Sequence, residues 1–174
     1  MVGEGTFKDT KEPIMRLSVE EVFREYGDRL FAAAFSVCRN PADADDVVQD
    51  TLIKYHTLCK DFESREHIKA WLLRAAINRA KDLTTSFWRR NNVAWEDYMA
   101  ELPFEEPEDG ELFEAVMRLP DRYRVAIHLF YYEEYSIREI AELLQCREGT
   151  VKSQLSRGRQ LLKNMLEEAW DDDE

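Results

Sequence analysis

Apolar residues recur at three- and four-residue spacing through most of this chain, which is the period of a helix with one buried face. Val19, Val22, Phe23, Tyr26, Leu30, Ala33, Ala34 and Val37 form the first such stripe. Ser18 and Glu21 precede it in capping-box order: the hydroxyl accepts from the Glu21 N–H, and the carboxylate reaches back to the Ser18 N–H. Asn40-Pro41 stops this helix and opens a second, with Asn40 as cap and Pro41 at the first helical position. There, Ala44, Val47, Val48, Leu52, Tyr55, Leu58 and Cys59 make the apolar stripe, and Asp43, Asp46, Gln49, Asp50 and Lys54 lie mostly off it. A polar stretch, 60–66, breaks the period. A third helix follows, with Ile68, Trp71, Leu72, Ala75, Ala76 and Leu83 as its buried side, and it runs into Phe87-Trp88-Arg89-Arg90.

Residues 91–110 hold two prolines and most of the acid in the middle of the chain, the character of a linker. Beyond it, Leu112, Val116 and Leu119 mark a short helix, and Pro120 opens another with Tyr123, Ile127, Phe130 and Tyr131 inward. Ser136 and Glu139 form a second capping box, ahead of Ile137, Ile140, Ala141 and Leu144. A tight turn at 145–149 leads to a last helix carrying Val151, Leu155, Leu161, Leu162 and Leu166. The pattern predicts an all-α fold: two small helical domains joined by an acidic linker, the C-terminal one a helix-turn-helix. Its divisions are a flexible leader at 1–17, a first domain at 18–90, the linker at 91–110, a second domain at 111–167 and an acidic tail at 168–174.

Charge changes the picture in one respect. The 174 residues carry a net −12, which on its own disfavours contact with phosphates. The acid is segregated, however. Residues 91–117 hold nine acidic residues and no basic one, and 167–174 hold six and none; the rest of the chain has 24 basic residues against 21 acidic. What remains can therefore present basic faces. No apolar run approaches the roughly 20 residues of a membrane span, and the N-terminus lacks the apolar core of a secretory signal, so a cytoplasmic location is expected. Cys38, Cys59 and Cys146 form no CxxC pair and fall in helical stretches, where reduced, buried thiols are expected. His56, His67 and His128 are scattered, and neither a glycine-rich phosphate loop nor a nucleophile motif is present. No catalytic residue, cofactor or metal is expected, and the chain reads as a non-enzyme.

The segment SIREIAELLQCREGTVKSQLSRGRQLL carries the clearest chemistry. A short helix, a tight turn and a second helix with a polar face describe a DNA-binding helix-turn-helix. Val151 and Leu155 hold the second helix on the first, which leaves Arg147, Thr150, Lys152, Ser153, Ser156, Arg157 and Arg159 outward or along the edges to donate to phosphates. Lys152, Gln154 and Arg157 are long enough to reach base edges. The third helix differs: Arg65, His67, Lys69, Arg74, Arg79, Lys81, Arg89 and Arg90 are interleaved with Phe62, Trp71, Phe87 and Trp88, a mixture suited to unpaired bases. The acidic outer face of the second helix suits a protein partner with basic groups.

Taken in order, DADDVVQDTLIKYH, HIKAWLLRAAINRAKDL and the stretch 119–162 resemble the sigma factors of bacterial RNA polymerase, specifically the small extracytoplasmic-function (ECF) group of the sigma-70 family. The resemblance spans 19–166. It implies a factor that binds core RNA polymerase and directs initiation at promoters with minus-ten and minus-thirty-five elements, with a stand-alone helix-turn-helix regulator as the alternative. Asp46, Gln49, Asp50 and Lys54 would bind the β′ clamp helices. Phe62, Ser64, Arg65, His67, Lys69, Arg74, Asn78 and Arg79 would engage the minus-ten strand. Arg147, Thr150, Lys152, Ser153, Gln154, Ser156, Arg157 and Arg159 would engage the minus-thirty-five duplex. The helix after Pro120 would bind the β flap, and the linker would occupy the RNA exit path. An anti-sigma partner is usual for the group, although no residue here identifies one. Three positions depart from the family pattern: Gln154 where arginine is usual, Arg147 where proline is common, and Gly158 where alanine is usual. In a helix interior that glycine is expected to cost about 0.5–1 kcal/mol relative to alanine.

Overall fold

A computed structural model describes residues 16–87 and 110–171. Among them lie seven helices: α1 Val19–Cys38, α2 Pro41–Thr57, α3 Arg65–Phe87, α4 Gly110–Arg118, α5 Asp121–Tyr131, α6 Ile137–Leu144 and α7 Glu148–Asp171. The start signals act as the pattern predicts. Ser18 and Glu21 form the full capping box on α1, and Ser136 and Glu139 form one on α6. Asn40 Oδ1 accepts from the Asp43 N–H at 3.0 Å, with Pro41 at the first position of α2.

Helices α1, α2 and α3 pack mutually, and α7 packs against α4, α5 and α6. Val22, Leu30, Ala44, Val47, Ile68, Leu72 and Ala76 are fully buried in the first half, as are Leu119, Ala126, Leu129, Ile140 and Val151 in the second. Each large aliphatic side chain so placed stabilises by about 1.5–3 kcal/mol. The helix-turn-helix is α6, a three-residue turn and α7. Gln145 takes the left-handed conformation at φ 54° to end α6, and its N–H reaches back to the Ala141 and Glu142 carbonyls. The two halves also touch, α1 on α5 and α3 on α6.

Arg124 of α5 lies at that junction with no exposed surface. Its guanidinium donates to the Ser36 carbonyl of α1, to the Leu119 carbonyl and to the Met117 carbonyl at 3.0 Å, and it pairs with Asp121. Burial, with Arg39 adding repulsion, brings its pKa down to about 10, which still leaves it charged at neutral pH. Arg39, at the end of α1, donates to the same Met117 carbonyl at 3.2 Å.

Several sequence expectations change. Residues 1–15, 88–109 and 172–174 lie outside the described residues, and with them the acidic linker and the end of the tail. Leader character does not extend to residue 17. Leu17 is buried, and Tyr55 Oη accepts from its N–H at 3.1 Å and donates to its carbonyl at 2.9 Å. Arg16 donates to the carbonyls of Leu58 (2.6 Å), Tyr55 (3.2 Å), His56 (3.2 Å) and Lys60 (3.3 Å), closing the end of α2. Helix α7 continues past 167 to Asp171. Phe23, placed on the α1 stripe by its spacing, is 58% exposed. Cys59 is exposed and Cys38 and Cys146 are half-buried, so the expectation of three buried thiols fails. Gly158 is a packing requirement and not only a weak helix former: a Cβ there would stand 2.8 Å from Ile127 Cδ1 and 3.3 Å from Tyr123 Cβ, so the missing side chain lets α7 approach α5 closely.

Candidate functional site

The structure presents three surfaces. On α2, Asp46, Gln49 and Asp50 share one face through their three- and four-residue spacing. Asp46, Gln49 and Lys54 are exposed, while Asp50 is partly covered by Arg79 of α3, whose Nε donates to it at 2.7 Å. This ion pair is open to solvent and therefore weak. It joins residues that the sequence assigned to two different partners. Ile53 completes the face at 61% exposure. It escaped the sequence reading, and its signal was an apolar residue lying off the α2 stripe. Asp43 sits at the start of the helix, where burial and then Asp46 push its carboxyl above the usual range.

The α3 surface divides into core and edge. Phe62 is 2% exposed, its ring 5.8 Å from that of Tyr55, 6.0 Å from Trp71 and 5.3 Å from His67. It has no free face for a base, so the structure moves it from the strand-facing group to the core. Ser64 caps α3, its hydroxyl accepting from the His67 N–H at 3.1 Å. His67 is half-buried, and its Nδ1 accepts from the Glu63 N–H at 3.4 Å. Four of its cations are engaged: Arg65 with Glu25, Lys69 with Glu133 at 2.8 Å, Arg74 with the Glu142 carbonyl at 2.7 Å and Arg79 with Asp50. Asn78 is exposed. Lys69 and Arg74 thus meet residues of the second half, a juxtaposition that no local pattern announces.

The α7 surface keeps most of its expected members. Arg147, Thr150, Lys152, Ser153, Ser156 and Arg157 are exposed, and Val151 and Leu155 on the opposite side are buried under α6. Ser153 donates to the Gly149 carbonyl at 3.0 Å. Arg159 is exposed but held, its Nε donating to Tyr131 Oη at 2.8 Å and its guanidinium centre 5.4 Å from the Phe130 ring centroid. Gln154 departs from expectation: it is half-buried, and its Oε1 is enclosed without a hydrogen-bond partner, so it faces away from the exposed row. The apolar residues of α5 are mostly buried, leaving Tyr131 at its end and Tyr132 just beyond, 54% and 69% exposed, as the large accessible side chains. Among the described residues no group of three or more His, Cys, Asp or Glu is placed to hold a metal ion, and no helix is long and apolar enough to cross a membrane.

Comparison with known proteins agrees with this layout. The pattern described as Sigma-70 region 2 matches residues 22–92, and Sigma-70, region 4 matches 109–162. The ECF RNA polymerase sigma-E factor of Haemophilus influenzae is 32% identical over 150 residues, covering 75% of this chain and 77% of that protein. ECF RNA polymerase sigma factor SigE of Mycolicibacterium smegmatis is 29% identical over 175 residues, covering 94% and 67% respectively. SigW of Bacillus subtilis is 28% identical over 158 residues, covering 81% and 84%. Among solved structures, the sigma factor RpoE in complex with the anti-sigma factor NepR from Bartonella quintana superposes with a TM-score of 0.69 at 25% identity, covering 85% of this chain and 96% of that one. CnrH in complex with the cytosolic domain of CnrY gives 0.61 at 25% identity, covering 86% and 87%. With both regions present in order on one chain, and with these relatives, the chain belongs to the extracytoplasmic-function group of the sigma-70 family of RNA polymerase sigma factors.

Proposed function

We propose that this chain acts by recruitment: it binds core RNA polymerase and directs the enzyme to promoters through two separate DNA contacts, with no covalent step of its own. The observation that carries this is the unlike character of two surfaces on one chain, Asp46, Gln49 and Asp50 with Ile53 on α2, and Lys152, Ser153, Ser156 and Arg157 on α7. An acidic and apolar patch suits the clamp helices of β′. A row of donors on the second helix of a helix-turn-helix suits the phosphates and base edges of the minus-thirty-five duplex. The edge of α3, with Arg65, Lys69, Arg74, Asn78 and Arg79, serves the opened minus-ten strand. The working divisions are a core-binding and minus-ten domain, 16–90, and a minus-thirty-five domain, 110–171. Exposed Tyr131 and Tyr132, at the end of α5, are the flap-facing candidates. The site of action is the cytoplasm, and an anti-sigma protein is a further partner, since RpoE is seen in complex with the anti-sigma factor NepR. Each DNA contact alone is weak, and joining them raises affinity through effective concentration. With both sigma-70 regions in one chain, the stand-alone regulator considered from the sequence has no support.

Transcription in vitro with bacterial core polymerase and a promoter library tests the proposal. The chain should select a set of templates that core enzyme alone does not use. Asp46→Ala with Gln49→Ala should weaken assembly with core, whereas Lys152→Ala with Arg157→Ala should spare assembly and lose template selection. Failure to associate with core, or unselective initiation, overturns it.

A further inference from the structure

Glu133, two residues beyond α5, plays no part in recruitment as described, yet its surroundings are unusual. Its carboxylate is 4% exposed, and a single oxygen, Oε2, meets two cations from the other half of the chain: Lys69 Nζ of α3 at 2.8 Å and the Arg29 guanidinium of α1 at 3.2 Å. A carboxylate withdrawn from water needs such partners. On its own side, His128 Nε2 lies 4.0 Å from the other carboxylate oxygen, and the Tyr135 ring centroid lies 4.9 Å from the Lys69 ammonium. Arg74, further along α3, donates to the Glu142 carbonyl of α6.

Two cations from different helices that converge on one oxygen are equally suited to a phosphodiester oxygen. Arg29 lies outside the basic row of α3 and faces it from α1, so a strand following α3 would be gripped between the two. We propose that Arg29 and Lys69 form a phosphate-binding site for single-stranded DNA, and that Glu133 occupies this site in cis as a stand-in for the phosphate. The proposal rests on the minus-ten role of α3. It adds Arg29 as a DNA-binding residue and Glu133 as the group that must leave. The closed chain cannot serve both promoter elements in any case: they are named for positions about 25 base pairs apart, roughly 85 Å along B-DNA, whereas here the two halves touch. Parting the halves for the promoter would empty the site for the strand.

The test uses the full chain and a fluorescein-labelled oligodeoxynucleotide of about 12 nucleotides, followed by anisotropy. Glu133→Gln deletes both ion pairs, whereas Arg29→Gln deletes one and leaves Lys69 on Glu133. If these pairs only hold the halves together, both variants loosen the chain and both gain DNA affinity, Glu133→Gln the more. A phosphate site predicts opposite results. Glu133→Gln binds at least about fivefold tighter than the parent, because the competent state is no longer masked. Arg29→Gln gains nothing, and the double variant loses the gain. The salt slope of Glu133→Gln should exceed that of the double variant by about 0.7, the value of one single-strand phosphate contact. A gain in DNA affinity for Arg29→Gln overturns the site, as does a Glu133→Gln chain that expands in small-angle scattering without binding DNA better. If Glu133→Gln does not fold, Glu133→Asp, which retracts the charge by one methylene, should show a smaller gain in the same direction. A parent chain that starts transcription while Glu133→Gln shows no gain removes the phosphate site alone; a parent that never associates with core enzyme removes the role of α3 as well.

Discussion

Replacing Gly158 by alanine sets two effects against each other, and the structure decides the sign. Alanine improves a helix interior by about 0.5–1 kcal/mol relative to glycine. The new methyl, however, would stand 2.8 Å from Ile127 Cδ1, 3.5 Å from Ile127 Cγ1 and 3.3 Å from Tyr123 Cβ, where carbon atoms at rest sit about 3.5–4.0 Å apart. Ile127 and Tyr123 are 4% and 6% exposed, so neither side chain can swing into water to make room. Overpacking of this kind costs about 1–3 kcal/mol, which leaves a net loss of about 1 kcal/mol. Ile127→Val removes the offending Cδ1 at a cost of about 0.5–1.5 kcal/mol. In that background alanine at 158 should be neutral or stabilising, a coupling of about 1 kcal/mol between the two positions. Urea unfolding of the four chains, followed by circular dichroism, measures the cycle, and each kcal/mol corresponds to roughly 2–4 °C in Tm for a chain this long. A Gly158→Ala chain more stable than the parent, or a cycle that closes additively, would show that the approach of α7 to α5 does not depend on the missing side chain.

Three further outcomes are expected. Arg124→Met leaves the Ser36 and Leu119 carbonyls without their buried donor, each at about 1–3 kcal/mol, read as a large fall in the unfolding midpoint. Burial lowers the pKa of His128 from its ordinary 6.5, against a smaller opposing pull from Glu133, so the unfolded chain binds a proton below pH 6.5 that the folded chain refuses. Stability should therefore fall as pH drops from 6.5 toward the lowered value, and His128→Gln should flatten Tm in that window. The hydrogen-bonded capping carboxylates Glu21 and Glu139, held below 4.5 by Ser18 and Ser136, lose their contribution only under more acid conditions. Gln145→Gly relieves a left-handed residue at φ 54° and should raise stability by about 0.5–1 kcal/mol after the extra freedom of the unfolded chain is counted, measured by the same melts.

Features governed by neighbours three or four residues away were legible in the chain. Ser18 with Glu21, Asn40 with Asp43, and Ser136 with Glu139 each complete their own hydrogen bonds, so the local sequence determines where those helices start. The outward row of α7 was legible for the same reason, because Val151 and Leu155 set which side faces inward. Residues whose meaning lies across the fold were not. Phe62 looked like a stacking residue until Tyr55 and Trp71 closed over it. Gly158 looked like a flaw because Ile127, 31 positions earlier, was invisible as its neighbour. Lys69 and Glu133 are separated by 64 positions, and nothing in either segment forecasts their meeting. Arg16 seemed part of a loose leader because its acceptors are carbonyls of α2, which carry no signature in residue type.

The uneven placement of the three thiols gives the chain a ready attachment point for a reporter. Cys59 is exposed just past the end of α2, whereas Cys38 is half-covered and burial pushes its thiol up to about 12, so little of it is nucleophilic at neutral pH. A maleimide dye offered briefly should modify Cys59 ahead of Cys38, which puts a fluorophore beside the helix that bears Asp46 and Gln49 without changing a single residue of the natural chain.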